Sequence, residues 1–537
     1  MRNSLLKSDK SITPILLTIL CAFILILTPA APLVAQSSST SKKPATSKPD
    51  DKKSDDKPKS PDDENEEPAS SSSPEPEPAV TPENLPGRIR SILSGVEKNS
   101  RWGVRVELIE NGQVLFESKS DETFIPASNR KLFTGALAFD QLGPNYVFRT
   151  YLYHTGTIDA QGNLNGNLVI IPTGDPSFSK TLFKDGTASD WVFRDWADKV
   201  KAAGIKRING ELLIDCSSWD MSDITPKGWP ARVLNDSYAP QTSPLTINNN
   251  ITNIVLNAGK SGQAASVSFI PPATGYPVVN NTKSGQKGTP SARRVVNSHI
   301  EVRGGLLNKY TIWSIPIDKP TLYAAANFRH YLGRQNIDIQ KGIRIHTASG
   351  ALPAPTPQNT IAVVESPTVK EIVDYMMKRS DNHMAEQLYV AISHAKLGKG
   401  SYGNTNRLEA EFLARAGINT RGMSVGDGSG LSESNRVSPT DICKLLTYMK
   451  SHRYANEYYD SMSINGRDGT LRNRMKHMTG RVHAKTGTIN GVVTLSGYLA
   501  LGTNKTVAFS FLVNDIKGVS VRSVQDRICS AIAKLVI

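Results

Sequence analysis

The feature that most limits what this chain can fold into is a long tract with nothing to bury. Residues 36–86 alternate Ser, Pro, Lys, Asp and Glu, as in Lys52-Lys53-Ser54-Asp55-Asp56-Lys57 and Ser73-Pro74-Glu75-Pro76. Such a segment cannot bury enough apolar surface to offset its chain entropy, so it is expected to be a disordered low-complexity tether, or simply a disordered leader. Core building is left to residues 87–537 of the 537-residue chain. A stretch of that length divides into more than one domain.

Ahead of the tether, residues 1–35 read as an export signal. Arg2, Lys7 and Lys10 form a basic head, Ile12 to Leu27 an apolar run, and Ala30, Ala31 and Ala35 offer small residues for cleavage. The run is about 16 residues, short for a membrane span of roughly 20. A cleaved signal is the expectation and an uncleaved anchor the alternative. Either places the protein outside the cytoplasm, in the periplasm or cell envelope. Cys21 follows Leu20 rather than a small residue and does not read as a lipid-attachment site.

The whole chain carries +14, residues 1–35 contribute +2, and the tether holds seven Lys against twelve acidic residues, so residues 87–537 carry +17. This surplus points to an anionic partner, acidic wall polymer or membrane surface rather than nucleic acid in an exported protein. An ordinary basic exported protein is the plainer explanation. Cys216, Cys443 and Cys529 have no C-x-x-C spacing, and the nine His show no ligand spacing. No metal and no cofactor are expected.

Along the foldable part, Val104, Val106 and Leu108 alternate, turn at Asn111-Gly112, and continue at Val114 and Phe116, which reads as a β-hairpin. A helix is expected from Ser128 to Leu142, ended by Gly143. Another is expected to open with Ser366 as N-cap and Pro367 in the first turn, with Ile372, Val373 and Met376 on one face. Val482 to Leu499 reads as two strands turning at Asn490-Gly491, and Val507 to Val513 as a strand. Val521, Val524, Ile528, Ile532 and Leu535 mark a closing amphipathic helix. Residues 161–315 differ: they are rich in Gly, Pro, Asn and short β-like runs, with few long helical periods. The expected organisation is a mixed α+β catalytic domain formed by 87–160 and 316–537, interrupted by one or two inserted β-rich domains at 161–315.

Three short constellations carry chemistry. Ser128-Asn129-Arg130-Lys131 puts Ser128 and Lys131 one turn apart on a helix face, at an N-terminus whose partial positive charge favours a developing anion. A Ser hydroxyl needs a base, and a desolvated Lys near a second cation can be one. Ser380-Asp381-Asn382 follows the second helix. Lys485-Thr486-Gly487-Thr488 lies in a strand and supplies a cation, hydroxyls for a carboxylate, and a Gly that lets a substrate backbone approach. Singly each pattern is common; Ser-x-x-Lys also starts at Ser39, Ser54, Ser177 and Ser284. In this order and local setting they are specific.

With these motifs the chain resembles the class C low-molecular-mass penicillin-binding proteins, D-Ala-D-Ala carboxypeptidase/endopeptidases of the serine type. Phe124 to Thr134, Thr173-Gly174-Asp175-Pro176, Asp427 to Ser432, Asp468-Gly469-Thr470-Leu471 and Leu495-Ser496-Gly497-Tyr498 are similar to further family blocks. The 252-residue step from Ser128 to Ser380 also suits a class that inserts its extra domains there. The resemblance implies a β-lactamase/transpeptidase-like fold, with a central antiparallel sheet between helices. It also implies peptidoglycan stem peptides as substrate and β-lactams as covalent inhibitors. Ser128 would attack the penultimate D-Ala carbonyl with Lys131 as base, and the amides of Ser128 and Thr488 would form the oxyanion hole. Ser380 would relay a proton, Asn382 hold a substrate amide, Lys485 keep Lys131 neutral, and Thr486 and Thr488 grip the terminal carboxylate beside Gly487.

Two positions depart from the pattern. Glu433 stands where many members carry Arg, and Gly228-Trp229-Pro230 is followed by Ala231-Arg232-Val233 without the Asp expected three residues on. Both belong to the pocket that, by the resemblance, reads the free end of the stem's diamino acid. Asp427 and Asp468 are expected to brace Gly-rich turns, Asp381 to face away from the site, and His383 and His483 to be packed. A β-lactamase is the nearer rival, yet no Glu-x-x-Leu-Asn segment is present and Tyr454-Ala455-Asn456 lies only 31 residues before Lys485. A non-catalytic wall-binding protein would have no reason to keep all of Ser128, Lys131, Ser380, Asn382 and Lys485.

Overall fold

A six-stranded antiparallel sheet runs in the order Ser463–Ile464, Val482–Ile489, Val492–Ala500, Thr506–Asn514, Arg101–Leu108, Val114–Ser118. The computed structural model describes residues 79–537 except 179–189, 227, 273–276, 296–297, 349–351 and 503. The expected export signal and nearly all of the tether lie outside the described residues. The last residues assigned to the tether do not behave as one. Val80 bridges to Leu535, and a helix starts at Leu85, because Val80, Leu85 and Ile89 have an apolar sheet face to cover.

The strand Thr506–Asn514 shows why this sheet is central. Period-two alternation sends Val507, Phe509, Phe511 and Val513 to one face, where they meet the helices Leu85–Leu93 and Val521–Ala533. Ala508 and Leu512 face the other side, against Phe124, Leu132 and Leu446. A strand buried on both faces reads as continuous apolar sequence, and it sits mid-sheet. On the second side Pro439–Lys450 packs against the strands, and Arg130–Leu142 packs in turn against it and against Val369–Arg379 and Asn382–Leu397.

Two helix starts differ from expectation. Ser128 lies in a 3-10 turn, Ala127–Asn129, and the regular helix begins only at Arg130. Ala127 has φ +45°, a left-handed conformation that no Ala adopts without cost, which bends the chain into that turn. The second helix begins at Val369 with Thr368, not Ser366, as N-cap. Thr368 and Glu371 form a reciprocal capping box, and Ser366 Oγ instead accepts from the amide of Phe148.

The residues between the first two motifs form further sheets. One has five strands in the order Ile343–His346, Leu212–Asp215, Leu168–Ile171, Arg149–His154, Thr360–Glu365. Arg149–His154 and Thr360–Glu365, expected in the catalytic part, lie in this sheet rather than in the central one: Arg149–His154 pairs with Leu168–Ile171 of the insertion on one side and with Thr360–Glu365 on the other. One four-stranded and two three-stranded sheets complete it. The segment is less purely β than its Gly and Pro content suggests. Trp191–Ala202 is a helix that buries Val192, Phe193, Trp196, Ala197 and Val200 against the helix Pro320–Arg334. Among the described residues no helix is long and apolar enough to cross a membrane.

Candidate active site

The start of the Arg130–Leu142 helix meets the strand Val482–Ile489 at one edge of the central sheet, and this junction brings the three motifs together. Lys131 Nζ lies 3.0 Å from Ser128 Oγ, 2.7 Å from Asn382 Oδ1 and 2.8 Å from the Ser429 carbonyl. Across the cleft, Lys485 Nζ donates to Ser380 Oγ at 2.8 Å and to the Thr486 carbonyl at 2.7 Å. Ser380 ends the helix Val369–Arg379 in a left-handed conformation, which turns its hydroxyl inward before the next helix opens. Asp381 caps that next helix through the amide of Met384 at 2.8 Å, and it acts on Lys131 through its charge rather than through a hydrogen bond.

Both lysines are fully buried. Burial lowers Lys131 from the usual lysine range to about 8, although Asp427, Glu386 and Asp381 pull it back up. Lys485 is pushed well below the usual range, first by burial and then by the nearby Lys131. A neutral amine next to a serine hydroxyl is what a general base requires.

Gly487 is demanded by space. A Cβ there would sit 2.2 Å from Thr494 Oγ1 and 2.9 Å from the backbone nitrogen of Ser128, so only Gly lets the strand lie against the turn that carries Ser128. Thr494 Oγ1 in turn donates to the Pro126 carbonyl at 2.9 Å. Thr486 Oγ1 is held by Thr470 Oγ1 at 2.8 Å, which gives the Asp468-Gly469-Thr470-Leu471 block its local purpose.

The open space around Ser128 has two lobes, and Ser128, Ser380 and Thr488 line both. One, about 970 Å³, extends past Thr486 and is walled by arginines. The other, about 300 Å³, holds Asn382, Tyr238, Leu431, Arg232 and Glu433. Arg232 and Glu433 form an ion pair on its wall.

Behind Lys131 sits a buried scaffold that sequence reading missed in part. Glu386 accepts from the amides of Gly428 and Ser429 at 3.0 and 2.7 Å and from the Tyr402 hydroxyl at 2.6 Å. It thereby fixes the carbonyl of Ser429 that receives Lys131. Burial first, then Asp427, raises Glu386 to about 7. Its position one turn after Asn382 on the same helix face was the available signal. Asp427 accepts from the amides of Gly430 and Ser432, from Asn435 and from Trp229, so it braces the turn. Asp468 does the same through the amide of Ile464 and Lys378. His383 is buried against Asn250, and His483 stacks on Tyr459. The three described cysteines are free and buried. Among the described residues no group of His, Cys, Asp or Glu is arranged to hold a metal.

Comparison with known proteins agrees with this arrangement. The chain is 29% identical over 453 residues to a D-alanyl-D-alanine carboxypeptidase of Actinomadura sp. (strain R39), covering 80% of this chain and 81% of the relative. It is 26% identical over 439 residues to the D-alanyl-D-alanine carboxypeptidase DacB of Haemophilus influenzae, covering 79% and 88%. The fold is similar to the crystal structure of penicillin binding protein 4 from Haemophilus influenzae, with a TM-score of 0.68 at 23% identity over 83% of this chain and 98% of that one. Residues 86–535 match the family described as D-Ala-D-Ala carboxypeptidase 3 (S13), and the chain belongs to that family.

Proposed function

We propose that this D-Ala-D-Ala carboxypeptidase works through Ser128 as nucleophile and Lys131 as general base. The observation that carries the reading is the 3.0 Å approach of Lys131 Nζ to Ser128 Oγ in a buried setting that lowers the lysine to about 8. Lys131 takes the Ser128 proton as Oγ attacks the carbonyl of the penultimate D-Ala of a stem peptide. The amides of Ser128 and Thr488 stabilise the oxyanion, a contribution of roughly 3 kcal/mol per donor in comparable sites. The C–N bond then breaks, and the leaving amine collects a proton relayed through Ser380, whose hydroxyl Lys485 orients. Water cleaves the acyl-enzyme and restores Ser128.

Asn382 anchors Lys131 through Oδ1, and Nδ2 donates to the Tyr238 carbonyl with its second hydrogen left for a substrate carbonyl. Thr486 and Thr488 receive the terminal carboxylate beside Gly487. β-Lactams, which carry a strained amide and a carboxylate at matching spacing, acylate Ser128. The basic head and apolar run of residues 1–35 support export to the periplasm, where the +17 surplus of residues 87–537 favours contact with acidic wall polymer.

The test is labelling with a fluorescent penicillin, followed by mass identification of the modified peptide. A single adduct on Ser128, absent from Ser128→Ala together with D-Ala release from uncross-linked muropeptides, is the expected result. An adduct elsewhere, or D-Ala release that survives Ser128→Ala, would overturn it.

A further inference from the structure

The two three-stranded sheets of the insertion carry charge of almost one sign. Their strands run in the orders Ser266–Ile270, Ile251–Asn257, Tyr310–Pro316 and Val278–Ser284, His299–Leu306, Ser291–Val295. Residues 251–316 contain seven Lys and Arg against one acid, Glu301. Arg293 engages Glu301 at 2.5 Å, and Arg294 is buried against Asp318 at 3.0 Å. Lys260, Lys283, Lys287 and Lys309 are exposed, and among the described residues none of the four pairs with a carboxylate.

Strand direction gathers these lysines at one end. Val278–Ser284 and His299–Leu306 run parallel and finish there, and Tyr310 starts its strand there opposite Leu256. Ser284 joins the turns: its Oγ accepts from the amide of Gly259 and its carbonyl from the amide of Gly262, each at 2.9 Å. The amide of Gly285 donates to the Leu306 carbonyl at 2.9 Å, and a Cβ on Gly305 would come within 3.1 Å of the Lys287 carbonyl. The four lysines thus surround one tip. Beside Lys309 stand Leu307 and Tyr310, 52% and 38% exposed. Four ammonium groups with no acid among them repel one another, and an anionic surface relieves that repulsion. A single exposed apolar side chain is ordinary. A Leu and a Tyr flanking a Lys on a basic tip have the make-up of an interfacial contact, in which lysine stems lie along the surface while apolar groups enter it.

We propose that this tip docks on an anionic lipid surface, with Lys260, Lys283, Lys287 and Lys309 at the headgroup phosphates and Leu307 and Tyr310 at the acyl boundary. The inference goes beyond the catalytic reading and does not depend on it. It gives the body of the protein a hold on the membrane separate from the apolar run of residues 1–35. A sugar-phosphate wall polymer would satisfy the lysines but offers Leu307 no apolar medium, so lipid is the surface that fits both halves of the tip. The strand ends hold the lysines in place before contact, so little order has to be gained on docking.

The experiment mixes the full chain with vesicles of neutral phosphatidylcholine, or of phosphatidylcholine with about one-third phosphatidylglycerol, and reads the acetylation rate of each lysine by mass. The apolar run of residues 1–35 can attach the chain to either vesicle, so protection at the tip, rather than binding, is the readout. On anionic vesicles Lys260, Lys283, Lys287 and Lys309 are acetylated about tenfold more slowly than on neutral ones, while the exposed Lys98 and Lys396 change by less than about twofold. Raising salt from about 50 to about 500 mM removes most of that protection. Leu307→Ser/Tyr310→Ser, with a Tm equal to wild type, loses at least about fivefold of it. Equal rates on the two vesicles, or slowing spread evenly over all exposed lysines, overturns the proposal. So does protection that survives Leu307→Ser/Tyr310→Ser and is matched by soluble polyphosphate, which assigns the tip to a phosphate polymer.

Discussion

Asn129 Nδ2 donates to the main-chain carbonyl of Lys485 at 2.6 Å, so the residue after Ser128 is bonded to the backbone of the third motif. Its Oδ1 accepts from Ser496 Oγ at 2.8 Å, and Ser496 continues to Ser510 at 2.9 Å on the next strand. The side chain is wholly buried. The serine's turn is therefore fixed to three successive strands of the sheet, and the Asn129 amide joins the Thr494–Pro126 bond in holding Ser128 against the strand of Lys485.

Replacing that amide should separate positioning from chemistry. Asn129→Ala takes a side-chain partner from the buried Lys485 carbonyl and one of two from the buried Ser496 hydroxyl, a loss of about 1–3 kcal/mol. The expected outcome is a folded protein with a lower Tm, whose rate of acylation by penicillin falls by at least about tenfold, since small misplacements at a reacting centre are costly. A drop in Tm with an unchanged acylation rate would show that the joint is structural only.

How much of this could be read beforehand depends on where the information sits. Ser128, Lys131, Ser380, Asn382 and Lys485 stand in short local patterns, and each pattern survives translation into a helix start, a helix end or a strand. Asn129 lay inside the first pattern but was silent, because its partners are 356 and 367 positions away. Glu386 offered only its place one turn after Asn382: a lone acid on a helix face reads as solvated until the Gly428 and Ser429 amides are seen to enclose it. The hairpins at Asn111-Gly112 and Asn490-Gly491 and the closing helix were legible because turn chemistry and periodicity are local. Strand partnership was not. Arg149–His154 and Thr360–Glu365 join the insertion through long-range pairing that no local pattern encodes.

The state of Lys131 gives a prediction with a definite sign. The amine acts as base only when neutral, and burial lowers it to about 8. The second-order rate of acylation should therefore rise about tenfold per pH unit below about 8 and level off above it. Lys131→Arg, which stays protonated, should lose acylation by about 100-fold or more. Stability follows the same group. The unfolded lysine holds its proton up to the usual lysine range while the folded one releases it near 8, so the unfolded state binds more protons between those limits and stability rises with pH there. Urea midpoints of wild type between pH 8 and about 10 should climb relative to those of Lys131→Met, and parallel curves would contradict the assignment.

Gly487 offers a steric test. With a Cβ 2.9 Å from the Ser128 nitrogen and 2.2 Å from Thr494 Oγ1, Gly487→Ala must push the strand away from the nucleophile's turn. Acylation is expected to drop by about 100-fold, the size of losing an oxyanion donor, with the far-UV spectrum unchanged. Rescue by Thr494→Ser would argue against this account, because the Ser keeps the oxygen that collides. Partial rescue by Thr494→Ala, which removes it, is the expected companion result.

The last prediction concerns Arg232 and Glu433. By resemblance, this part of the cleft reads the free end of the stem's diamino acid, and many members place an Arg where Glu433 stands. Here Arg232 pairs with Glu433 on the wall of the smaller lobe, while Val233, at the position expected to hold Asp, is buried with Trp229, Ala239 and Leu431. A guanidinium and a carboxylate are both present, with the acid on the segment that carries the base elsewhere. Such a pair still matches an end that bears one ammonium and one carboxylate, with the ammonium directed to Glu433. Both side chains are about half exposed, at 54% and 42%, so the pair is worth only about 0–1 kcal/mol to stability and Tm should barely move in Glu433→Gln. Selectivity should move instead. Wild type is expected to release D-Ala from a pentapeptide with a free diamino-acid amine about tenfold faster in kcat/KM than from its N-acetylated form, and Glu433→Gln to lose that preference. Equal rates on the two peptides with wild type would remove Glu433 from substrate recognition and leave the pair a surface contact.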